Sequence, residues 1–480
     1  MKKIIFGCGK MGIKALAQYG KENVAFFCDN AKEKWGTNIN GIKVISFDEL
    51  VEIHSMYEIL VTPINNFTIV AQLDSCNIKN YSIYISEEQS IIAKGKTDEQ
   101  LYKAQNNILA NFSLRTRELN FLKDIRKFQD LAKEFQYINK YEKISLFYRG
   151  YNSEGRYYGN VQNLLQYAEI RDSDLKYAPI VSHQDCFPLF SVGMQYRNAV
   201  IFPGEYYKKV IHKHFPYIPV FSVGPYIHYA KGIYSREEIE CMKQQNGKTL
   251  LVYMPHSIEN VDREFSKRKF IDDLLLEYGT NFKKIFLCVY WADVNDPICG
   301  YAIEKGMDVV CAGFRFDAKF NSRQRSLLEL ADAVVFGDIG TFISYALYFK
   351  KPVGRIDISN NSTISEKEFT SEWERKIQFN DEFNSYCHNF YCIFSNKLSL
   401  NDDMYRWLNP LNGFDQIKKP KEVKEIIEIS KDIIEESNDR LDVYDKAVKN
   451  VLLKYRFENE RKYNILRGAV DEKIYWNLEN

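Results

Sequence analysis

Residues Ala331–Asp357 read ADAVVFGDIGTFISYALYFKKPVGRID. A short apolar run ends at Asp338, and the turn Gly340-Thr341 changes the pattern before the stretch Phe342–Phe349. That change predicts a buried strand, a tight turn and a helix, with Pro352-Val353 opening the next strand. At such a turn the N–H groups of the first helical turn and the helix dipole favour an anion. Gly340 removes steric obstruction and Thr341 supplies a cap and a hydroxyl, so a diphosphate fits there. The same residues also make a plain αβ turn with a threonine cap.

The pattern repeats outward in both directions. KISLFYRGY from Lys143, APIVSH, NAVIFPGE, PVFSVGPYI, LLVYMPHS, KIFLCVYW and DVVCAGF are short apolar runs, several separated by helix-like stretches. This is the βα rhythm of doubly wound sheets. The polar segment Lys243–Lys248, KQQNGK, divides it in two. The chain is α/β throughout, and its length suggests several domains. The expected units are a Rossmann-like domain over 1–90, a helical connector over 91–142, paired Rossmann-like domains over 143–245 and 246–400, and C-terminal helices over 401–480.

Composition narrows the partners. The 65 Lys and Arg balance 64 Asp and Glu, so no global field attracts nucleic acid and no nucleic-acid partner is expected. The 33 Tyr and 32 Phe suit stacking on bases or sugar rings, and an AT-rich coding bias supplies the same content. The ten cysteines form no C-x-x-C pair and several sit in apolar runs, as Cys288 and Cys311 do, which reads as a reduced core. With no charged-apolar-small leader and no apolar stretch of about 20 residues, the expected location is cytoplasmic, with peripheral contact at the inner face of a membrane. Of the seven histidines only His212 and His214 are close, and their spacing matches no zinc motif. No metal and no required cofactor are therefore expected.

Candidate chemistry sits where strands end, because open α/β sheets bind ligands beyond their carboxyl edges. LLVYMPHSIENVDREF delivers His256 and Ser257 to the end of a strand, a place where a histidine also serves as a cap or core residue. GFRFDAKFNSRQRS places Arg315 and Asp317 after a strand, with Arg323 and Arg325 nearby; an arginine there can offset charge on a leaving diphosphate, and the same residues also read as a solvated basic helix start. APIVSHQDCFP brings His183 and Asp185 to the end of another strand, where either can deprotonate an acceptor hydroxyl. A His-x-Asp pair after a strand also serves as a local hydrogen-bond cap.

At the N-terminus Gly7, Gly9 and Gly12 form G-x-G-x-x-G between strand and helix, and Asp29 follows the second strand. The glycines permit the tight turn, the approach of phosphate and close helix packing, and Asp29 is placed for ribose hydroxyls. A Rossmann-like domain that keeps these glycines for geometry alone reads the same way. The stretch FFCDNAKEKWGTNINGIKVISFDEL resembles the small N-terminal domain of bacterial sugar acetyltransferases and of composite surface-polysaccharide enzymes.

Two Rossmann-like halves followed by helices resemble a GT-B glycosyltransferase. The Gly340-Thr341 segment is similar to the G-T-x-x-x-Y-A-x-x-x-x-K-P-V pattern of capsular and surface-polysaccharide transferases. His256-Ser257 resembles the nucleotide-phosphate contacts of sialyltransferase-like GT-B enzymes, and Gly224-Pro225-Tyr226-Ile227-His228 a hinge segment of capsule enzymes. The resemblance implies transfer from a nucleotide-sugar donor to a glycan or lipid-linked glycan acceptor, inverting and metal-independent, in surface-polysaccharide assembly. It leaves open an NAD-dependent sugar-modifying oxidoreductase or epimerase and a pyruvyl or polyol-phosphate transferase of the same pathway. A non-enzymatic scaffold also remains open, and the 91–142 helix offers a surface for homo-oligomers.

Overall fold

The computed structural model describes residues 2–63, 69, 72–73, 76, 78, 80–84, 125–130, 158–170, 179–182, 199–213, 215–255, 263–315, 317–358, 363–364, 381–438, 443–472 and 474. They fall into two compact units, residues 2–84 and residues 125–474.

The first unit carries a six-stranded sheet. Its strands are β1 (Lys3–Phe6), β2 (Val24–Cys28), β3 (Asn38–Ile39), β4 (Ile42–Ile45), β5 (Glu58–Val61) and β6 (Tyr81–Ile83), in the order β3-β4-β2-β1-β5-β6. All pairings are parallel except the β3–β4 hairpin. Successive side chains of a strand point to opposite faces. Ile4 and Phe6 accordingly join one apolar core and Ile5 the other, so both faces are covered. Gly7 takes φ +105°, and a Cβ on Gly12 would lie 2.0 Å from the Gly7 carbonyl oxygen. Both glycines are therefore required by the turn itself.

The second unit holds two parallel sheets. The first is β7 (Ile180–Val181), β8 (Val200–Phe202) and β9 (Val220–Ser222), in that order. The second comprises β10 (Thr249–Tyr253), β12 (Lys284–Cys288), β13 (Asp308–Val310), β14 (Ala333–Phe336) and β15 (Val353–Arg355), in the order β13-β12-β10-β14-β15. Two short strands, β11 (Arg263–Glu264) and β16 (Thr363–Ile364), pair antiparallel beside them. The helix Arg236–Asn246 joins the two halves. A capping box between Ser235 and Glu238 starts it, and Gly247 at φ +66° ends it.

After the second sheet the chain crosses back. The helix Pro420–Glu436 starts with proline at its first turn, where the missing N–H costs nothing. Its residues Val423, Ile426, Ile429 and Ile433 share one core with Val200, Ile201 and Phe221 of the three-stranded sheet. The helices Tyr444–Glu458 and Glu460–Ala469 complete that core. Two α/β halves with C-terminal helices returning to the first make a GT-B-like architecture, in agreement with the sequence reading. Of the 91–142 connector, residues 125–130 are described and helical. Phe128 is buried beneath the Arg323 guanidinium, and Gln129 Nε2 donates to the Val294 carbonyl at 2.7 Å. Among the described residues no helix is long and apolar enough to cross a membrane.

Candidate functional site

The five-stranded sheet has one switch point. From β10 the chain leaves toward β12 and β13, whereas from β14 it leaves toward β15 on the other side. Because β10 and β14 are parallel neighbours, their connections diverge at the carboxyl edge and open a crevice, the usual ligand position in such sheets.

The crevice is built tightly. A Cβ on Gly337, just after β14, would sit 2.6 Å from the Pro255 ring and 2.8 Å from Phe270. Only glycine therefore lets the two strand ends approach. The Tyr253 ring stacks on Phe342 with centroids 4.4 Å apart and planes 8° apart. Its hydroxyl donates to Gln324, and burial pushes its pKa well above the ordinary value. These contacts fix the start of the helix Thr341–Tyr348.

Gly340 is the N-cap of that helix and has no side chain with which to cap it. The expected cap by Thr341 is thus corrected: Thr341 occupies the first helical position, so its hydroxyl lies beyond the capping place. Gly340 is extended at φ −161°, a conformation open to any residue. Its lack of a side chain matters because a Cβ would lie 2.1 Å from the Phe342 ring. The result is a helix N-terminus at the switch point with no acidic residue in its first turn.

The loop after β13 is the seam between the halves. The Tyr158 N–H donates to the Arg315 carbonyl at 2.5 Å, and the Tyr158 ring lies 4.7 Å from that of Phe320. Gly159, at φ +73°, brings the chain so close that a Cβ would lie 2.4 Å from the Ala318 oxygen. Asn321 Nδ2 donates to Asn160 Oδ1 at 2.8 Å, and both side chains are fully buried.

Within this loop the sequence-derived residues separate. Arg315 is half-buried at the carboxyl edge. Asp317 is corrected from donor contact to internal anchor. It is fully buried, accepts from Arg323 Nη1 at 2.7 Å, and its other oxygen accepts from the Lys319 N–H at 2.9 Å. Arg323 is equally buried and also donates to the Ala312 carbonyl at 3.0 Å. Arg325 is turned away, toward Glu329 and the carbonyls of His228 and Ala230.

One ionic group escaped the sequence reading, and at His228 the segment was read but its partners were not. Lys267, at the start of the helix Lys267–Tyr278 before β12, lies 3.5 Å from Asp293 and pairs with Asp296, both of which follow β12. Burial raises the Asp293 pKa despite Lys267. For Asp296, burial works the same way, but hydrogen bonds from Lys267 and the Ile298 N–H outweigh it and lower the pKa. At the hinge, His228 Nδ1 lies 2.7 Å from the Tyr348 hydroxyl and Nε2 3.4 Å from that of Tyr167. The G-P-Y-I-H spelling was the available signal for that hinge, whereas neither tyrosine stands out in sequence.

Arg315, Asp317, Gly340 and Thr341 thus share one sheet edge. Gly7, Gly9, Gly12 and Asp29 belong to the other unit. There Asp29 accepts from the Cys8 and Ala31 N–H groups at 2.9 and 3.0 Å and pairs with Lys34 at 3.1 Å. Burial opposes its ionisation, but these bonds hold its pKa below the ordinary value. His183, Asp185, His256 and Ser257 lie outside the described residues; His183 follows Ser182 after β7, and His256 follows Pro255 after β10. Among the described residues no group of three His, Cys, Asp or Glu side chains is arranged to hold a metal ion.

No protein-family model and no curated protein matches the chain. Among solved structures it is similar to the S. aureus MnaA–UDP co-structure, at 10% identity over 89% of this chain and 96% of that one, with a TM-score of 0.29. It is also similar to UDP-GlcNAc 2-epimerase from Neisseria meningitidis bound to UDP-GlcNAc, at 13% identity over 95% and 100%, TM-score 0.27. A third similarity is to the wall teichoic acid polymerase TagF, at 13% identity over 54% and 59%, TM-score 0.24.

Proposed function

We propose that the second unit is a GT-B-type glycosyltransferase that binds a nucleotide-activated sugar at the switch point and passes the sugar to a glycan hydroxyl in surface-polysaccharide assembly. The observation that supports it is the helix N-terminus at Gly340-Thr341, whose N-cap is a glycine and which is set between the diverging ends of β10 and β14. A helix start aimed into such a crevice offers N–H groups and a positive dipole end to a diphosphate.

In this reading Arg315 offsets charge on the leaving diphosphate, and His256 and Ser257 donate to its phosphate oxygens. His183 or Asp185 removes the proton of the acceptor hydroxyl. That oxygen then attacks the anomeric carbon, the bond from this carbon to the diphosphate oxygen breaks, and the nucleoside diphosphate departs with the electron pair, inverting the centre. Transfer needs no resident cofactor. The acceptor, a glycan or a lipid-linked glycan, is drawn from the resemblance of the Gly340 and Gly224 segments.

A thermal-shift screen of wild type and Thr341→Trp against CMP, CDP, UDP, GDP, their sugar conjugates and NAD tests the reading, since a ligand bound only by the folded state raises Tm. The expected result is a shift by one nucleotide diphosphate and its sugar conjugate that Thr341→Trp abolishes. A shift by NAD alone, unchanged by Thr341→Trp, would overturn it and move ligand binding to the N-terminal glycines.

A further inference from the structure

A cavity of about 650 Å³ lies at the far end of the helix Thr341–Tyr348. That volume falls in the range of small-molecule sites. Its walls are the loop after the turn Tyr226–His228, the linking helix Arg236–Asn246, the later turns of the helix Phe320–Leu330, and Phe349 with Lys351. Thr341 and Phe349 are separated by roughly 12 Å at 1.5 Å per residue, so this cavity is distinct from the switch-point crevice.

Its charge is lopsided. Lys231, Arg236, Lys243, Arg325 and Lys351 line it against the carboxylates of Glu240 and Glu329, an excess of three positive charges in a chain whose formal net charge is +1. Arg325 is committed to Glu329 at 2.8 Å and to two carbonyls. Lys243 reaches Asp332 only at 3.9 Å. Lys351 is half-buried, and among the described residues no carboxylate comes within ion-pairing distance of its ammonium. Burial first, and then Lys243, lower its pKa, against the more distant pull of Asp332 and Glu329. A half-desolvated ammonium without a close counter-ion is costly, and an anion in the cavity supplies one. The rings of Tyr167, Tyr229 and Phe349 form apolar wall beside it.

We propose that this hinge cavity binds a phosphate-bearing small molecule, with Lys351 and Lys243 as its charged contacts. The turn Tyr226–His228 follows β9 of the first half and Lys351 precedes β15 of the second. An occupant therefore touches both halves, and its affinity depends on the angle between them.

Isothermal titration of the full chain with inorganic pyrophosphate, at fixed ionic strength, tests the site in wild type, Thr341→Trp, Lys351→Met, Lys351→Arg and Lys243→Gln. Because pyrophosphate can also occupy the switch-point crevice of wild type, the hinge cavity is read in the Thr341→Trp background, where pyrophosphate binding is expected to be retained. Its affinity in that background should fall about tenfold or more in Lys351→Met and in Lys243→Gln, the loss of one charged hydrogen bond each, and recover in Lys351→Arg. Lys243 is half-exposed on its helix, so its variant remains informative if Lys351→Met misfolds. Absence of binding in wild type, loss of all binding in Thr341→Trp, or indifference to both lysine substitutions would overturn the assignment. Loss of nucleotide binding in Thr341→Trp with pyrophosphate retained separates this site from the donor reading.

Discussion

Asp317 Oδ2 accepts from Arg323 Nη1 over 2.7 Å, with side-chain exposures of 0% and 2%. An ion pair removed from water to this extent is held by its mutual partners. Asp317→Asn leaves a guanidinium buried without its counter-charge, and the expected loss is about 3–5 kcal/mol. Replacing both residues, as Asp317→Leu with Arg323→Met, should recover much of it, because no buried charge remains. Thermal unfolding of the second unit measures both variants. A loss of only about 1 kcal/mol, the size seen for exposed pairs, would show that water reaches the pair.

The same pair shows where sequence stops being informative. Arg315-x-Asp317 after an apolar run has the form of a ligand-facing loop. The side chain that claims Asp317 stands six residues on, and Phe128, distant in sequence, packs against its guanidinium. The strands and Gly340-Thr341 were legible because apolar runs, glycine turns and helix starts are local signals. The return of Val423, Ile426 and Ile433 to the three-stranded sheet depends on contacts hundreds of residues apart. The apolar stripe of that helix was readable, but its partner was not. Asp29 illustrates the same limit: its position after β2 was legible, but its bonds to Cys8, Ala31 and Lys34 are set by the folded turn.

Gly337 is expected to tolerate no side chain. Its conformation is ordinary, so the objection is steric: an added Cβ meets Pro255 at 2.6 Å and Phe270 at 2.8 Å. Neither a proline ring nor a buried phenyl ring yields easily in a packed core, and overpacking costs about 1–3 kcal/mol. Gly337→Ala should lower Tm and also weaken nucleotide binding, because the displaced strand end carries Gly340 and Thr341. Unaltered Tm with unaltered binding would mean that the crevice is looser than these distances require.

His228 predicts a pH dependence. Burial first, and then the Arg325 guanidinium, hold its pKa below the ordinary 6.5. Its ring nitrogens lie beside the Tyr348 and Tyr167 hydroxyls, so a neutral ring can accept from one and donate to the other. Below pH 6.5 the unfolded chain takes up a proton that folded His228 does not. Stability is therefore complete above that value and falls as pH drops toward the folded pKa, by up to about 1.4 kcal/mol per pH unit. His212, also lowered chiefly by burial, adds to the slope in the same direction. Denaturant melts between pH 7.5 and 5 should be less steep in pH for His228→Gln than for wild type. Equal slopes would assign the whole effect to other groups.

Asn160 and Asn321 join the halves through one hydrogen bond, but Asn160 Nδ2 and Asn321 Oδ1 find no partner among the described residues. Each amide is therefore half satisfied in a seam closed to solvent. Removing one side, by Asn321→Ala, orphans Asn160 Oδ1 as well, and the expected loss is about 1–3 kcal/mol. Removing both, by Asn160→Leu with Asn321→Leu, eliminates every unsatisfied polar atom of the pair while filling similar volume. That double variant should be near neutral in Tm, far from the sum of the single losses, since residues in contact couple strongly. If the two single losses simply add, the amides act separately and the seam is held by Tyr158 and Gly159 alone.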